Sequence, residues 1–168
     1  MVLPLLTRID HVGIACRDLD AAIARYEATF GLQVVSLEVN EEQGVREAML
    51  AVGAVHMAAA AAGHMAAAAA GHMAAAAAGL RPGYVQLLEP LGPDTPVGRF
   101  LTRRGEGLHH VGYGVSDIGQ ALEGIGVRGV RLLDERPRHG SMGASIAFLH
   151  PADLGGVLTE LVQAADPA

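Results

Sequence analysis

The chain has 168 residues, a mass of 17.3 kDa, a formal net charge of −6 and a pI near 5.7. That size suits one domain, or two small modules sharing a core. Aromatic residues make up only 4%, Trp is absent, and Asp plus Glu outnumber Arg 18 to 12, which argues against base stacking and general phosphate-backbone binding. All twelve basic residues are Arg, so lysine Schiff-base chemistry and a Walker-type phosphate loop are excluded. The single cysteine, Cys16, excludes an internal disulfide framework and a multi-cysteine zinc site. No apolar run resembles a membrane span, and residues 1–6 are too short and lack the basic flank of a signal peptide. The expectation is a soluble cytoplasmic protein.

In chain order, Ile9-Asp10-His11-Val12-Gly13-Ile14-Ala15 reads as a short alternating strand, followed by an Asp-led cap and an amphipathic helix through Ile23. A β-branched run at 32–35 and a strand at 46–52 come next. HMAAAAAG is then written three times in register, at 56–63, 64–71 and 72–79. A spacing of eight on an α-helix turns successive His by about 80° and separates them by about two turns, so they cannot share one ion from a straight helix. The tract therefore reads as an expanded loop or surface helix without chemistry. A strand at 84–88 precedes a Pro/Gly-marked linker holding a short helix at 96–103. The pattern then restarts with Leu108-His109-His110-Val111-Gly112-Tyr113-Gly114, a Ser/Asp-led helix through Leu122, a β-branched run at 127–133, and strands at 144–149 and 156–161.

These are two copies of one module. His11 aligns with His110 and Gln86 with Glu160; His11 and Gln86 lie 75 residues apart in the first copy, and His110 and Glu160 lie 50 apart in the second. The difference of 25 is accounted for by the 24-residue tract, so the copies are nearly equal without it. The expected fold is α+β: two tandem βαβββ modules, at 7–89 with an insertion at 56–79 and at 107–163, joined by a linker at 90–106 and forming curved mixed sheets around a metal site. The alignment brings together two imidazoles, an amide oxygen and a carboxylate: His11, His110, Gln86 and Glu160. Such a mixed N/O set suits a six-coordinate divalent ion with two positions left for water or substrate.

The stretches IDHVGIACRDLDAAIARYEATFGL, EEQGVREAML, YVQLLEP, GEGLHHVGYGVSD, RPRHGSMG, IAFLHP and GVLTEL resemble, as an ordered set, the methylmalonyl-CoA epimerase family of the vicinal oxygen chelate superfamily. The resemblance covers essentially the whole chain outside 54–82 and the termini. It implies metal ligation by His11, Gln86, His110 and Glu160, and a catalytic base at Glu47. The ion it implies is divalent, Co²⁺ first, with Mn²⁺, Mg²⁺, Zn²⁺ or Fe²⁺ also suitable. The implied reaction interconverts (R)- and (S)-methylmalonyl-CoA: a carboxylate removes the proton between thioester and carboxylate, and the ion stabilises the enolate. The second proton carrier is left open between Glu160, a metal-bound water and another group. For the acyl-CoA substrate, Arg136 and Arg138, with Arg103 and Arg104, are candidate anion contacts, and the turn at Ser141 offers backbone N–H groups. A homodimer is expected from the same resemblance.

Other readings of the same residues stand beside this one. A glyoxalase-type enzyme on a hemithioacetal would also use a metal, but with a ligand carboxylate as its base, which leaves Glu47 unused. A ring-cleaving dioxygenase would need two His and one carboxylate and leaves Gln86 unexplained. A metal-free small-molecule-binding protein of the same fold would hold no divalent ion. Gly124-Ile125-Gly126-Val127-Arg128-Gly129 matches a dinucleotide fingerprint in letters but ends a helix instead of opening one. Cys16 reads as a small buried residue.

Overall fold

The computed structural model describes residues 5–53 and 83–165, and the repeat at 56–79 lies outside the described residues. The described elements are β1 (Leu6–Ala15), α1 (Leu19–Phe30), β2 (Gln33–Asn40), β3 (Val45–Val52), β4 (Gly83–Pro90), α2 (Pro96–Arg104), β5 (Gly107–Val115), α3 (Ile118–Gly126), β6 (Arg138–His139), β7 (Ser145–Leu149) and β8 (Leu158–Gln163). They fall into two compact units, one of residues 12–109 and one of residues 5–11 with 110–165, so β1 and β5 each contribute to both. In the first unit the strand order is β2-β3-β4-β1, with β2/β3 and β3/β4 antiparallel. In the second it is β1-β5-β8-β7-β6, with β5/β8 parallel and both β8/β7 and β7/β6 antiparallel. Each copy thus sets its first strand beside its fourth, as a duplicated βαβββ unit requires.

Local chemistry sets the element boundaries. Asp18 caps α1 by accepting Ala21 N–H at 2.9 Å, and Asp117 caps α3 by accepting Gln120 N–H at 2.8 Å. Gly31 ends α1 with φ +68, a left-handed conformation that glycine adopts without steric cost, and its N–H donates to Glu27 O. Thr95 caps α2, whose first position is Pro96. α3 stops at Gly126, so the Gly124–Gly129 motif closes a helix, as its place after the apolar run predicts.

Packing repeats the duplication residue by residue. One core cluster contains Cys16, Leu19, Ala22, Ala48 and Leu50; the other contains Val115, Ile118, Ala121, Ala147 and Leu149, each 99 positions further on. Leu87 and Leu161, both fully buried, complete the match immediately after Gln86 and Glu160. Leu50→Ala is expected to lower unfolding stability by about 2–5 kcal/mol, because it removes a fully buried side chain and leaves a cavity. Urea denaturation measures it, and a loss below about 1 kcal/mol would mean the site collapses around the deletion. Cys16 is also in this cluster, as expected for a small buried residue. Burial pushes its thiol up to about 11, and Glu89 and Glu106 add to the shift. Alkylation at pH 8 is therefore expected to run about 10²-fold slower in the native chain than in urea. Equal rates would contradict the burial.

One expected strand is absent. The run at 127–133 forms no strand; Leu132 makes an isolated bridge to Leu149, and the second strand of this copy is reduced to Arg138–His139. Gly129 turns the chain at φ +82, and Leu133 and Asp134 N–H groups both donate to Phe148 O. The Asp134 carboxylate then takes Phe148 N–H at 2.9 Å, replacing a ladder bond with a side-chain one. Pro137, without an N–H, follows soon after.

Candidate functional site

In the unit of residues 5–11 and 110–165, three buried polar side chains converge. His11 is 4% exposed on β1, His110 3% on β5 and Glu160 4% on β8. His11 Nε2 lies 2.8 Å from Glu160 Oε2, His110 Nε2 lies 3.1 Å from the same oxygen, and the two Nε2 atoms are 2.9 Å apart. Their rings meet edge to face at 5.1 Å, and Phe148 presents its ring to His110 at 5.6 Å. The β5/β8 register sets Glu160 opposite Gly112. A methyl group at Gly112 would sit 2.5 Å from His11 Nδ1 and 2.8 Å from Nε2, so the absent side chain is what admits the imidazole.

The spacing of these donor atoms calls for a proton or a cation shared between them. His11 Nδ1 faces Asp10 Oδ1 at 3.2 Å, and a carboxylate accepts only, so Nδ1 carries a proton. Asp10 is itself 4% exposed and ion-paired with Arg8. In neutral His11 the Nε2 lone pair then confronts the Glu160 carboxylate and the His110 nitrogen. Burial pulls the His11 pKa down, but hydrogen bonds to Asp10 and Glu160 outweigh it and raise it to about 9. Burial likewise pushes Glu160 up, and the two imidazoles overcome it and hold the carboxyl at about 2. A proton on His11 satisfies this arrangement, and so does a divalent cation. Ligand bonds of about 2.1 Å at right angles separate neighbouring donor atoms by about 3.0 Å. The observed spacings of 2.8, 2.9 and 3.1 Å fit that requirement, and the N/N/O donor set is one that binds divalent first-row ions.

In the unit of residues 12–109, Gln86 and Glu47 are brought together. Glu47 on β3 is 1% exposed and Gln86 on β4 is 5% exposed. The β3/β4 register pairs Glu47 with Leu88 and Met49 with Gln86, which sets the two polar residues diagonally on one face. Gln86 Nε2 donates to Glu47 Oε2 at 2.7 Å, which orients the amide with Oε1 turned from the carboxylate. The copy relationship that carries Ala48 to Ala147 carries Glu47 to Ile146, a buried aliphatic residue. The buried carboxylate at this position therefore belongs to one copy alone.

The candidate substrate residues occupy a different stretch. Arg136 is exposed on a bend. Arg138 is half-buried, pairs its Nε with Asp134 Oδ1 at 3.0 Å, and holds its guanidinium 5.7 Å from the Phe148 ring centre. Ser141 opens a 3₁₀ turn in which Met142 takes φ +57, the one non-glycine residue with positive φ among those described. Arg103 and Arg104 occupy the last turn of α2, where cations complement the helix dipole. Sequence reading did not single out Asp10, Arg8, Gly112, Asp134 or Phe148. Only Asp10 carried a signal, its position immediately before a candidate ligand.

Two βαβββ copies and a buried His/His/Glu group define a class of chelating enzyme and binding folds. Residues 10–148 match the family model for the glyoxalase/bleomycin resistance protein/dioxygenase superfamily. A Streptomyces coelicolor methylmalonyl-CoA epimerase variant, in complex with 2-nitronate-propionyl-CoA, is 45% identical; the match covers 96% of this chain and 99% of that one, with a TM-score of 0.79. A methylmalonyl-CoA epimerase in complex with methylmalonyl-CoA and NH₄⁺ is 47% identical over 95% of this chain and 96% of that one, with a TM-score of 0.78. The ethylmalonyl-CoA/methylmalonyl-CoA epimerase of Cereibacter sphaeroides is 30% identical over 95% of this chain and 99% of its own length. The chain belongs to that superfamily and, within it, to the methylmalonyl-CoA epimerase family, which makes it an isomerase.

Proposed function

We propose that the chain is a metal-dependent epimerase interconverting (R)- and (S)-methylmalonyl-CoA. In this reading His11, Gln86, His110 and Glu160 hold a divalent ion and Glu47 removes the α-proton. The observation that carries it is Glu47, a fully buried carboxylate outside the His/His/Glu group, gripped by the Gln86 amide and matched by Ile146 in the other copy. In this reading the base is separate from the ligands, whereas a glyoxalase-type enzyme takes a ligand carboxylate as its base and leaves Glu47 unused. The 2.7 Å bond from Gln86 holds the Glu47 carboxylate in one orientation, so no rotamer search precedes proton transfer. A bound ion would supply positive charge against the oxygens that become negative as the C–H bond breaks. Co²⁺ is the ion to load first, with Mn²⁺, Mg²⁺, Zn²⁺ and Fe²⁺ for comparison. Arg136, Arg138 and the Ser141 turn are assigned to the acyl-CoA substrate, and the working form is a cytoplasmic homodimer.

Epimerisation of (R)-methylmalonyl-CoA, followed by chiral separation, tests the proposal. Stripping the protein with a chelator is expected to cut the rate at least about tenfold, and Co²⁺ to restore it. Full activity in excess chelator would overturn metal dependence. Turnover of a hemithioacetal in place of methylmalonyl-CoA would overturn the reaction itself.

A further inference from the structure

We infer that Asp10, anchored by Arg8, is the positioning residue that aims His11 at the metal site; the inference rests on the reading of His11, His110 and Glu160 as ligands. Adjacent residues on a strand normally project to opposite faces. Here the Asp10 carboxylate nevertheless meets the ring of His11, through Oδ1 and Nδ1 at 3.2 Å. Burying a carboxylate is costly without partners. Asp10 has two: His11 on one oxygen and the Arg8 guanidinium on the other. The acceptor-only carboxylate keeps the proton on Nδ1, so the Nε2 lone pair is left facing His110 and Glu160.

β5 completes the grip. Gly112 lies against the imidazole with no room for a methyl group. Gly114 gives a smaller clearance to Arg8, since a Cβ there would be 3.0 Å from Arg8 Cγ and 3.2 Å from Cζ. The Thr7 hydroxyl donates to Gly114 O at 2.9 Å and ties this end of β1 to the glycine pair. His110 is held differently, against the Phe148 ring, and the residue before it is His109 in place of Asp. The Asp-then-His sequence therefore occurs in the first copy and not in the second.

Co²⁺ titration followed by visible absorption tests this in two backgrounds, wild type and His11→Ala. Asp10→Ala is expected to weaken Co²⁺ binding about 10–100-fold in the wild-type background. In the His11→Ala background the same change is expected to cost less than about threefold, because a residue acting through His11 has nothing left to position. Far-UV circular dichroism checks that each variant is folded. If Asp10→Ala does not fold, Arg8→Met carries the comparison, since it keeps the aliphatic stem beside Gly114 and removes the anchor. Its expected loss is about threefold or more in wild type and under about twofold without His11. For whichever variant is read, an equal loss in both backgrounds, or none in wild type, overturns the assignment while leaving the metal reading intact. A wild-type chain that takes up no Co²⁺ overturns both.

Discussion

Glu47→Gln is expected to slow epimerisation by about 10²–10⁴-fold, the range a positioned general base contributes, while Co²⁺ affinity stays within about threefold of wild type. The side chain keeps its size, so the fully buried site it fills stays packed. Its amide oxygen can still accept from Gln86 Nε2, preserving the 2.7 Å contact that orients the Gln86 side chain. What disappears is the capacity to take a proton. The His11/His110/Glu160 group does not include Glu47, so the change separates proton transfer from metal uptake. A variant that retains full turnover would remove Glu47 from the reaction. One that loses Co²⁺ along with activity would show that Glu47 acts through Gln86 on metal uptake.

Gly112→Ala is expected to weaken Co²⁺ binding by about 10²-fold or more, a larger effect than the loss of a single hydrogen-bonded partner of a ligand. The added methyl group would overlap three atoms of the His11 ring, two of them at 2.5 and 2.8 Å. Atoms that close must separate, and Glu160 and His110 on one side and Asp10 on the other leave the ring no second well-satisfied position. Swinging the ring away breaks the 2.8 Å contact with Glu160 and the 3.2 Å contact with Asp10 together. Overpacking of this kind also costs about 1–3 kcal/mol of stability. Urea denaturation of the metal-free variant reads that part separately from the titration. Wild-type Co²⁺ affinity in a folded Gly112→Ala chain would contradict the geometry drawn around His11.

Much of this was legible in the sequence because duplication writes the same constraint twice. The His11/His110 and Gln86/Glu160 alignment rests on strand and cap patterns, and five packed core residues repeat at the 99-residue interval that separates the two histidines. The run at 127–133 misled because its β propensity is genuine but unsupported. Asp134 supplies a side-chain acceptor to Phe148 N–H and Gly129 turns the backbone, so the strand never extends. Asp10 was hidden by strand alternation, which sends neighbouring side chains to opposite faces and so hides a contact between residues 10 and 11. Gly112 was hidden for another reason: a glycine that makes room leaves no mark of what fills the room. Arg138 was legible as a cation, but its pairing with Asp134 depends on a turn that no periodicity encodes.

On the proposed reading this chain moves the α-proton of methylmalonyl-CoA with the help of a divalent ion. Solvent deuterium incorporation at the α-carbon, followed by NMR with Co²⁺-loaded and chelator-treated wild-type protein, tests it most directly. Exchange is expected in the loaded protein at a rate matching epimerisation, and its collapse after chelation. No exchange with any of the five ions, from a chain that demonstrably binds them, would contradict it.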